Sequence, residues 1–489
     1  MNAIMETAGT ALIWIAYIGA FIFLTRKGQG HDAALSGRVN FTVQAFAYVA
    51  TYISAVALVG FGGLAHAYGM QMLLVAAGNV WLGTWAVYRF LAWPTRLWQA
   101  HLGVRSPATL LGTGHRTPML GRLLACLFAL FLGVYASAVI KGAALLLGQI
   151  VPLPLWSLIW ILAAVVGICV CIGGLRGVLY TEAMQGAVIL VGILLFVGAV
   201  LAKVGGPVQG LADLAALPPS DLANNGFASL SSGGSGLFII SLVVVTSVAV
   251  WAQPQMMQRH FALASRAQTA RIAPLAMLVL TVLVGGTYFA AALSRLILPE
   301  IPNPDAVMPL LVRELLPAAG VHLFVLAIVS ASLSTATALF HIAALAIAED
   351  LPARKSTPWS WRAGVVICVL ISAICAQADG SLIAILCTTS WSVVGSAVLV
   401  PYVALVVFGK RSAPAAWGGV IGGLFVCLFW YFCVYKATAI ATLSPHLANS
   451  FAAQVPPFFP ALLCSLLGWG LGLAAATFSA PRQVAAKAD

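Results

Sequence analysis

Two adjacent hydroxyl residues deep in an apolar stretch offer the first chemistry. In AIVSASLSTATALFHIAALAIAED, residues 327–350, Ala331, Ser334 and Thr335 stand at i, i+3 and i+4 and share one helix face. A hard monovalent cation takes oxygen ligands, and two hydroxyls beside a carbonyl supply them without adding net charge in lipid. The competing reading is local, because membrane Ser and Thr commonly bond the carbonyl four residues back. A second stretch, ATYISAVALVGFGGLAHAYG from Ala50, holds Gly60, Gly62 and Gly63, which disfavours a continuous helix there. A broken helix in lipid needs its freed carbonyls buried in protein or lining a polar cavity, and such breaks make ion and solute sites. Small residues equally serve close helix packing.

Ionisable groups inside apolar stretches are few, and each is a functional candidate. Glu182, in GGLRGVLYTEAMQG, either attracts a departing cation or sits at a helix start stabilised by the N-terminal dipole. Lys141, in YASAVIKGAALLLGQI, either pairs with an anionic solute or snorkels outward. His341 either titrates or is structural. Pro254, after Trp251-Ala252-Gln253, must bend or end its apolar run. There is no HExxH, no Walker A lysine, no GxSxG with a partner and no cluster of intramembrane carboxylates. Hydrolysis or group transfer would lack its acid and base, so an enzyme is not expected. The nine cysteines lie in apolar segments without a CxxC pair, which leaves no disulfide framework or thiolate metal site.

The elements that must position these residues follow from composition. Of 489 residues, 62% are hydrophobic and 7% charged, against about 25% charged in soluble domains. The expectation is an all-α polytopic membrane protein, one domain over residues 1–489. Runs long enough to span a bilayer are Thr10–Leu24, Phe41–Ala65, Met70–Phe90, Leu120–Ile150, Leu155–Gly173, Thr181–Ala202 and Leu237–Gln253. Ile272–Leu298, Val321–Ile347, Trp361–Ala376, Leu382–Phe408, Trp417–Tyr435 and Phe458–Phe478 complete thirteen. A tight turn at Asp379-Gly380 joins the tenth and eleventh, and Met308–Leu316 reads as a short external helix. With the N-terminus outside, 19 of the 24 basic residues fall in inside loops, among them Arg38, Arg482 and Lys487. That asymmetry places the C-terminus in the cytoplasm. It also accounts for the +12 charge as a topology signal, with no nucleic-acid surface.

Six stretches, in order and in register, resemble the sodium:solute symporter family, particularly its pantothenate and monocarboxylate members. They are ATYISAVALVGFGGLAHAYG, GGLRGVLYTEAMQG, QPQMMQRHFALASRAQ, PDAVMPLLVRELLP, SASLSTATALFHIAALAIAED and SWSVVGSAVLVPYVALVVFGKRSAPAAWGGVIGG. The resemblance implies LeuT-type inverted five-helix repeats, about 41–202 and 237–408, with flanking helices 10–24, 417–435 and 458–478. It implies alternating access with Na⁺ as coupling ion and no other cofactor. The family's sodium site falls on carbonyls of Ala50, Ile53 and Ala331 and on hydroxyls of Ser334 and Thr335, the face already picked out by spacing. Glu182 stands where the family has Asp on an inward ion path.

By the same register the solute is lined by Tyr52, Val56, Ala57, Thr246, Ala249 and Gln253, with Lys141 available to an anion. Apolar Val56 and Ala57 disfavour sugars, and Tyr52 stands where the proline branch has Asp. The resulting expectation is a symporter of a small organic carboxylate, such as a monocarboxylate or pantothenate, in the lipid of a bacterial inner membrane. The alternatives are a proline-like Na⁺/amino-acid symporter, a sensor on the same fold and an uncoupled facilitator. Eleven residues follow Phe478, so a fused signalling domain is not expected, and a pore would carry more polar groups at depth.

Overall fold

A computed structural model describes residues 2–27, 39–172, 175–231, 233–298, 301–378, 383–436 and 450–479. The expected turn at Asp379-Gly380 lies outside the described residues, as do Arg38, Arg482 and Lys487 of the charge tally. Among the described residues there is no strand, only a bridge between Ser220 and Ala223. Nine helices are long and apolar enough to cross a membrane, ten if Gly236–Ala252 and Pro254–His260 form one span bent by 52°. Leu12–Leu24 and Leu155–Cys171 are shorter apolar helices. The 47-residue unit Val56–Leu102 would measure about 70 Å, more than twice the thickness of a hydrocarbon core. It turns at Gly69, whose φ of +68° ends one helix before the next begins. Counting that unit as two crossings, the described helices furnish thirteen.

We number them α1 (Asn2–Lys27), α2 (Phe41–Tyr52, resuming over 56–68), α3 (73–102), α4 (Pro118–Leu147), α5 (Leu155–Ile172) and α6 (Leu175–Lys203). Next come α7 (Gly236–Ala252 and Pro254–His260), α8 (Arg266–Leu296) and α9 (Ala318–Asp350). The last are α10 (Pro358–Ala376), α11 (Ile383–Val406), α12 (Ala413–Val434) and α13 (Phe458–Ser479). The apolar pattern separates core from lipid face. In α9, 83% of the most apolar window is buried, against 28% in α13, where Leu471 and Phe478 face outward. Outside the membrane, Val307–Leu315 forms the short helix expected near Met308.

The break in α2 lies earlier than the glycines suggested. Ile53 adopts extended backbone (φ −91°, ψ 128°), ending the first half. Ser54 restarts the helix: its hydroxyl accepts from the Val56 amide at 3.2 Å, and its carbonyl accepts from the Ala57 and Leu58 amides. The helix then runs through Gly60, Gly62 and Gly63, widened to a π turn over Val56–Gly60. These glycines serve packing. A Cβ on Gly60 would press on Ile383 and Ala384, one on Gly62 on Met308, and one on Gly63 would collide with the Pro304 backbone. In α7 the bend at Pro254 is the one its missing amide requires.

Candidate ion and solute site

The break in α2 faces the hydroxyl pair of α9. Ser334 Oγ lies 2.7 Å from the Ala50 carbonyl and 2.8 Å from the Ala331 carbonyl, either of which can accept its one proton. Thr335 Oγ1 lies 3.3 Å from the Ala50 and Thr51 carbonyls and 3.2 Å from that of Ile53. Ala50, Ile53, Ala331, Ser334 and Thr335 are all fully buried. The extended backbone at Ile53 supplies the carbonyls, because a residue outside the helix leaves its acceptors without the usual amide donors. Six oxygens from two helices, the Thr51 carbonyl beside the five expected ones, thus lie together in buried surroundings.

Around the same break sit most of the residues expected to meet solute. Tyr52 Oη donates to the Thr246 carbonyl at 2.8 Å, joining α2 to α7. The Thr246 hydroxyl donates to Asn79 Oδ1 of α3 at 2.8 Å, where the Ser247 hydroxyl also points. Ala249 packs against Gly395 of α11, so closely that a Cβ on that glycine would reach it. Gln253, at the α7 bend, directs Nε2 to the Trp391 carbonyl at 3.3 Å. Gln253 Oε1 is buried without a hydrogen-bond partner, and the buried Trp391 Nε1 lies beside the Tyr135 hydroxyl. Val56 is buried and Ala57 half-buried at the restart of α2.

A cavity of about 350 Å³ lies beyond these residues, towards the Tyr68 end of α2. Its walls include Tyr68, Val245, Ala384, Ser392 and Tyr431, and none of the six expected solute contacts. Val245 and Ser392 of its wall adjoin Thr246 and Trp391 in sequence. At the Arg259 end a void of about 20 Å³ is bordered by Gln255, Arg259 and His341.

Two further expected residues have partners of their own. Lys141 does not join the residues around the break; its ammonium donates to the Ala378 carbonyl beside the α10–α11 connection at 3.3 Å. That bond lies at the end of α10, and the ammonium also acts on the Asp305 carboxylate of the outer loop. Glu182 is not at a helix start, because α6 begins at Leu175. It is buried in a salt bridge with Arg259 of α7, its second carboxylate oxygen unpartnered. Arg259, Asn79 and Trp391 went unrecognised in the sequence. Arg259 and Trp391 fall within stretches that carry the family resemblance but have no role assigned to them there, and Asn79 stands in apolar surroundings without a motif.

A model of the sodium:solute symporter family matches residues 35–423. The chain is 28% identical over 340 residues to the sodium/pantothenate symporter of Haemophilus influenzae, covering 66% of this chain and 67% of that one. It is 24% identical to the Escherichia coli sodium/pantothenate symporter across 63% of each, just under two thirds of that relative. It is 23% identical to the high-affinity proline transporter PutP of Bacillus subtilis, across 91% of this chain and 93% of PutP. Among solved structures, a Na⁺-coupled sialic acid symporter in a substrate-bound outward-open state superposes with a TM-score of 0.73 at 14% identity. That match covers 97% of this chain and 98% of the other. MhsT in complex with L-phenylalanine superposes with a TM-score of 0.59 at 12% identity, covering 89% and 99%. These likenesses establish the LeuT-type fold. The chain belongs to the sodium:solute symporter family, as an integral membrane protein whose coupling ion is Na⁺ and which is not an enzyme.

Proposed function

We propose that the chain carries out Na⁺-coupled symport of a small organic solute, a carboxylate such as a monocarboxylate or pantothenate, by alternating access. The observation that carries this is the meeting of Ser334 and Thr335 with the carbonyls of the broken helix. In this reading the hydroxyl protons rotate away and both oxygens, with the carbonyls of Ala50, Ile53 and Ala331, hold the ion. A bound ion then ties α2 to α9. Any conformation in which the helices part binds Na⁺ less well, and that difference in affinity is the coupling free energy. The repeats are taken as about 41–202 and 237–408. Positive-inside asymmetry supports an N-terminus outside and a C-terminus in the cytoplasm of a bacterial inner membrane.

The test is uptake into proteoliposomes with Na⁺ or K⁺ outside. Ser334→Ala combined with Thr335→Ala should reduce Na⁺ stimulation at least about tenfold, the loss expected from removing two charge-assisted ligands. Thr335→Ser, which keeps the hydroxyl, should retain most of it. Unchanged Na⁺ dependence in the double variant would overturn the site.

For the solute, the restart of α2 presents the positive end of a half-helix, which suits a carboxylate, and the Trp391 N–H beside the Tyr135 hydroxyl can share its proton with one. A second reading, a proline-like amino acid, is favoured by the open Gln253 Oε1, which would accept from an ammonium group. Thermal shift against a panel of carboxylates and amino acids, in Na⁺ and in K⁺, separates the two, since a ligand of the folded state raises its stability.

A further inference from the structure

A groove of about 830 Å³ lies between α3 and α8, remote from the ion and solute residues. Two exposed arginines, Arg89 and Arg266, line it together with the aromatic rings of Trp85, Phe90 and Trp93. Local backbone shapes it. Two π turns, Trp81–Trp85 and Val87–Leu91, widen α3 there. On α8, Pro274 lacks the amide that would have bonded the Ala270 carbonyl, and both residues line the groove. Arg89 lies about 24 Å along α3 from its first residue, Leu73, so it stands near the far edge of a hydrocarbon core about 30 Å thick. Exposed Phe90 beside it and the groove's Trp93 one turn on mark the same zone, where aromatic side chains collect at a membrane–water boundary.

The charge in this groove is unbalanced. The sequence contains no Asp or Glu from residue 33 to 181 or from 222 to 299, so neither α3 nor α8 carries a carboxylate. Among the described residues no salt bridge involves Arg89 or Arg266. A guanidinium at a lipid boundary favours a phosphate, which it can grip through two parallel N–H donors. We propose that this groove binds an anionic glycerophospholipid. Its phosphodiester lies between Arg89 and Arg266, its acyl chains run along Trp85, Phe90 and Met277, and a headgroup hydroxyl reaches the Ala270 carbonyl. The ammonium of a zwitterionic headgroup finds no carboxylate here and meets two like charges.

Native mass spectrometry of the delipidated full chain tests this, with phosphatidylglycerol, phosphatidylcholine or inorganic phosphate added. Phosphatidylglycerol should bind as one copy retained at least about fivefold better than phosphatidylcholine. Arg89→Gln with Arg266→Gln should lower its occupancy about tenfold or more, since each basic residue near a lipid surface adds roughly fivefold. Arg271→Gln, exposed on α8 but outside the groove, should change nothing. Equal phosphatidylglycerol occupancy in the double variant would overturn the proposal, as would inorganic phosphate competing it off, which would mark a free-anion site. Should the double variant fail to fold, the unmodified chain decides: a preference over phosphatidylcholine below about twofold sinks it.

Discussion

Five hydroxyls on α9 show how residue type and position divide the work. Ser330, Ser332 and Thr337 each donate to the carbonyl four residues back, at 2.7, 2.9 and 2.7 Å, the local habit of such groups in membrane helices. Thr335 instead reaches across to α2, and Ser334 reaches the Ala50 carbonyl as well as that of Ala331 three residues back. What separates them is the partner: only opposite Ser334 and Thr335 does α2 leave helical backbone and present carbonyls. The i, i+3, i+4 spacing was visible in the sequence, whereas the reach to α2 depends on a contact 284 residues away. Lys141 teaches the converse. Its charge marked it as a solute partner, but its side chain ends on the Ala378 carbonyl. Lys141→Met should therefore leave the apparent solute affinity within about twofold, a change too small to count as loss of a direct charge contact. Uptake kinetics at saturating Na⁺ measure this, and a tenfold rise in KM would return the lysine to the pocket.

At the scale of elements, the sequence showed the crossings more clearly than their interruptions. Thirteen apolar runs and the side on which arginines gather follow from hydrophobicity and charge, which act through bulk solvent and need no partner. The break in α2 depended on a finer signal. Ser54, a helix-capping residue directly before an apolar run, marks the restart, while the conspicuous glycines 60, 62 and 63 serve contacts with α11 and the outer loop. Gly63 gives the sharpest test, since a Cβ there meets the Pro304 carbonyl itself, a backbone atom with little room to yield. Next to Pro304, Asp305 accepts from the Ile383 amide at 3.0 Å, so the outer loop also caps the start of α11. Gly63→Ala should displace that loop and raise the KM for solute at least about threefold, while the Na⁺-induced rise in melting temperature persists. If the Na⁺ shift vanished along with solute affinity, the outer half of α2 would not be separable from the ion site.

The molecule as a whole is asymmetric about the break. The cavity of about 350 Å³ lies towards one end, and the other holds a void of about 20 Å³ beside the buried Glu182–Arg259 pair. Further links close that second end. Ser106 donates to Asp350 at 2.9 Å, and His115, just after the helix Pro107–Gly114, lies with Nε2 3.0 Å from the Pro401 carbonyl of α11. The His115 ring also packs edge-on against Trp469 of α13 at 5.4 Å. One imidazole thus joins the short helix, the repeat core and a flanking helix. It does so as a neutral ring, because burial lowers its pKa to about 4 from 6.5, with Arg411 adding to the effect against the raising influence of the Pro401 hydrogen bond. The unfolded chain takes up a proton near pH 6.5, but the folded chain does so only near 4. The stability that neutral His115 contributes is therefore whole above pH 6.5 and is lost as pH falls towards 4, by at most about 1.4 kcal/mol per unit. Melting temperatures of the detergent-purified chain, taken from pH 7 to 4.5 without Na⁺ or solute, should fall more steeply than those of His115→Gln, which keeps a donor for Pro401 and cannot titrate. Parallel curves would mean that the ring protonates as freely in the fold as outside it, and that this end of the bundle opens to water.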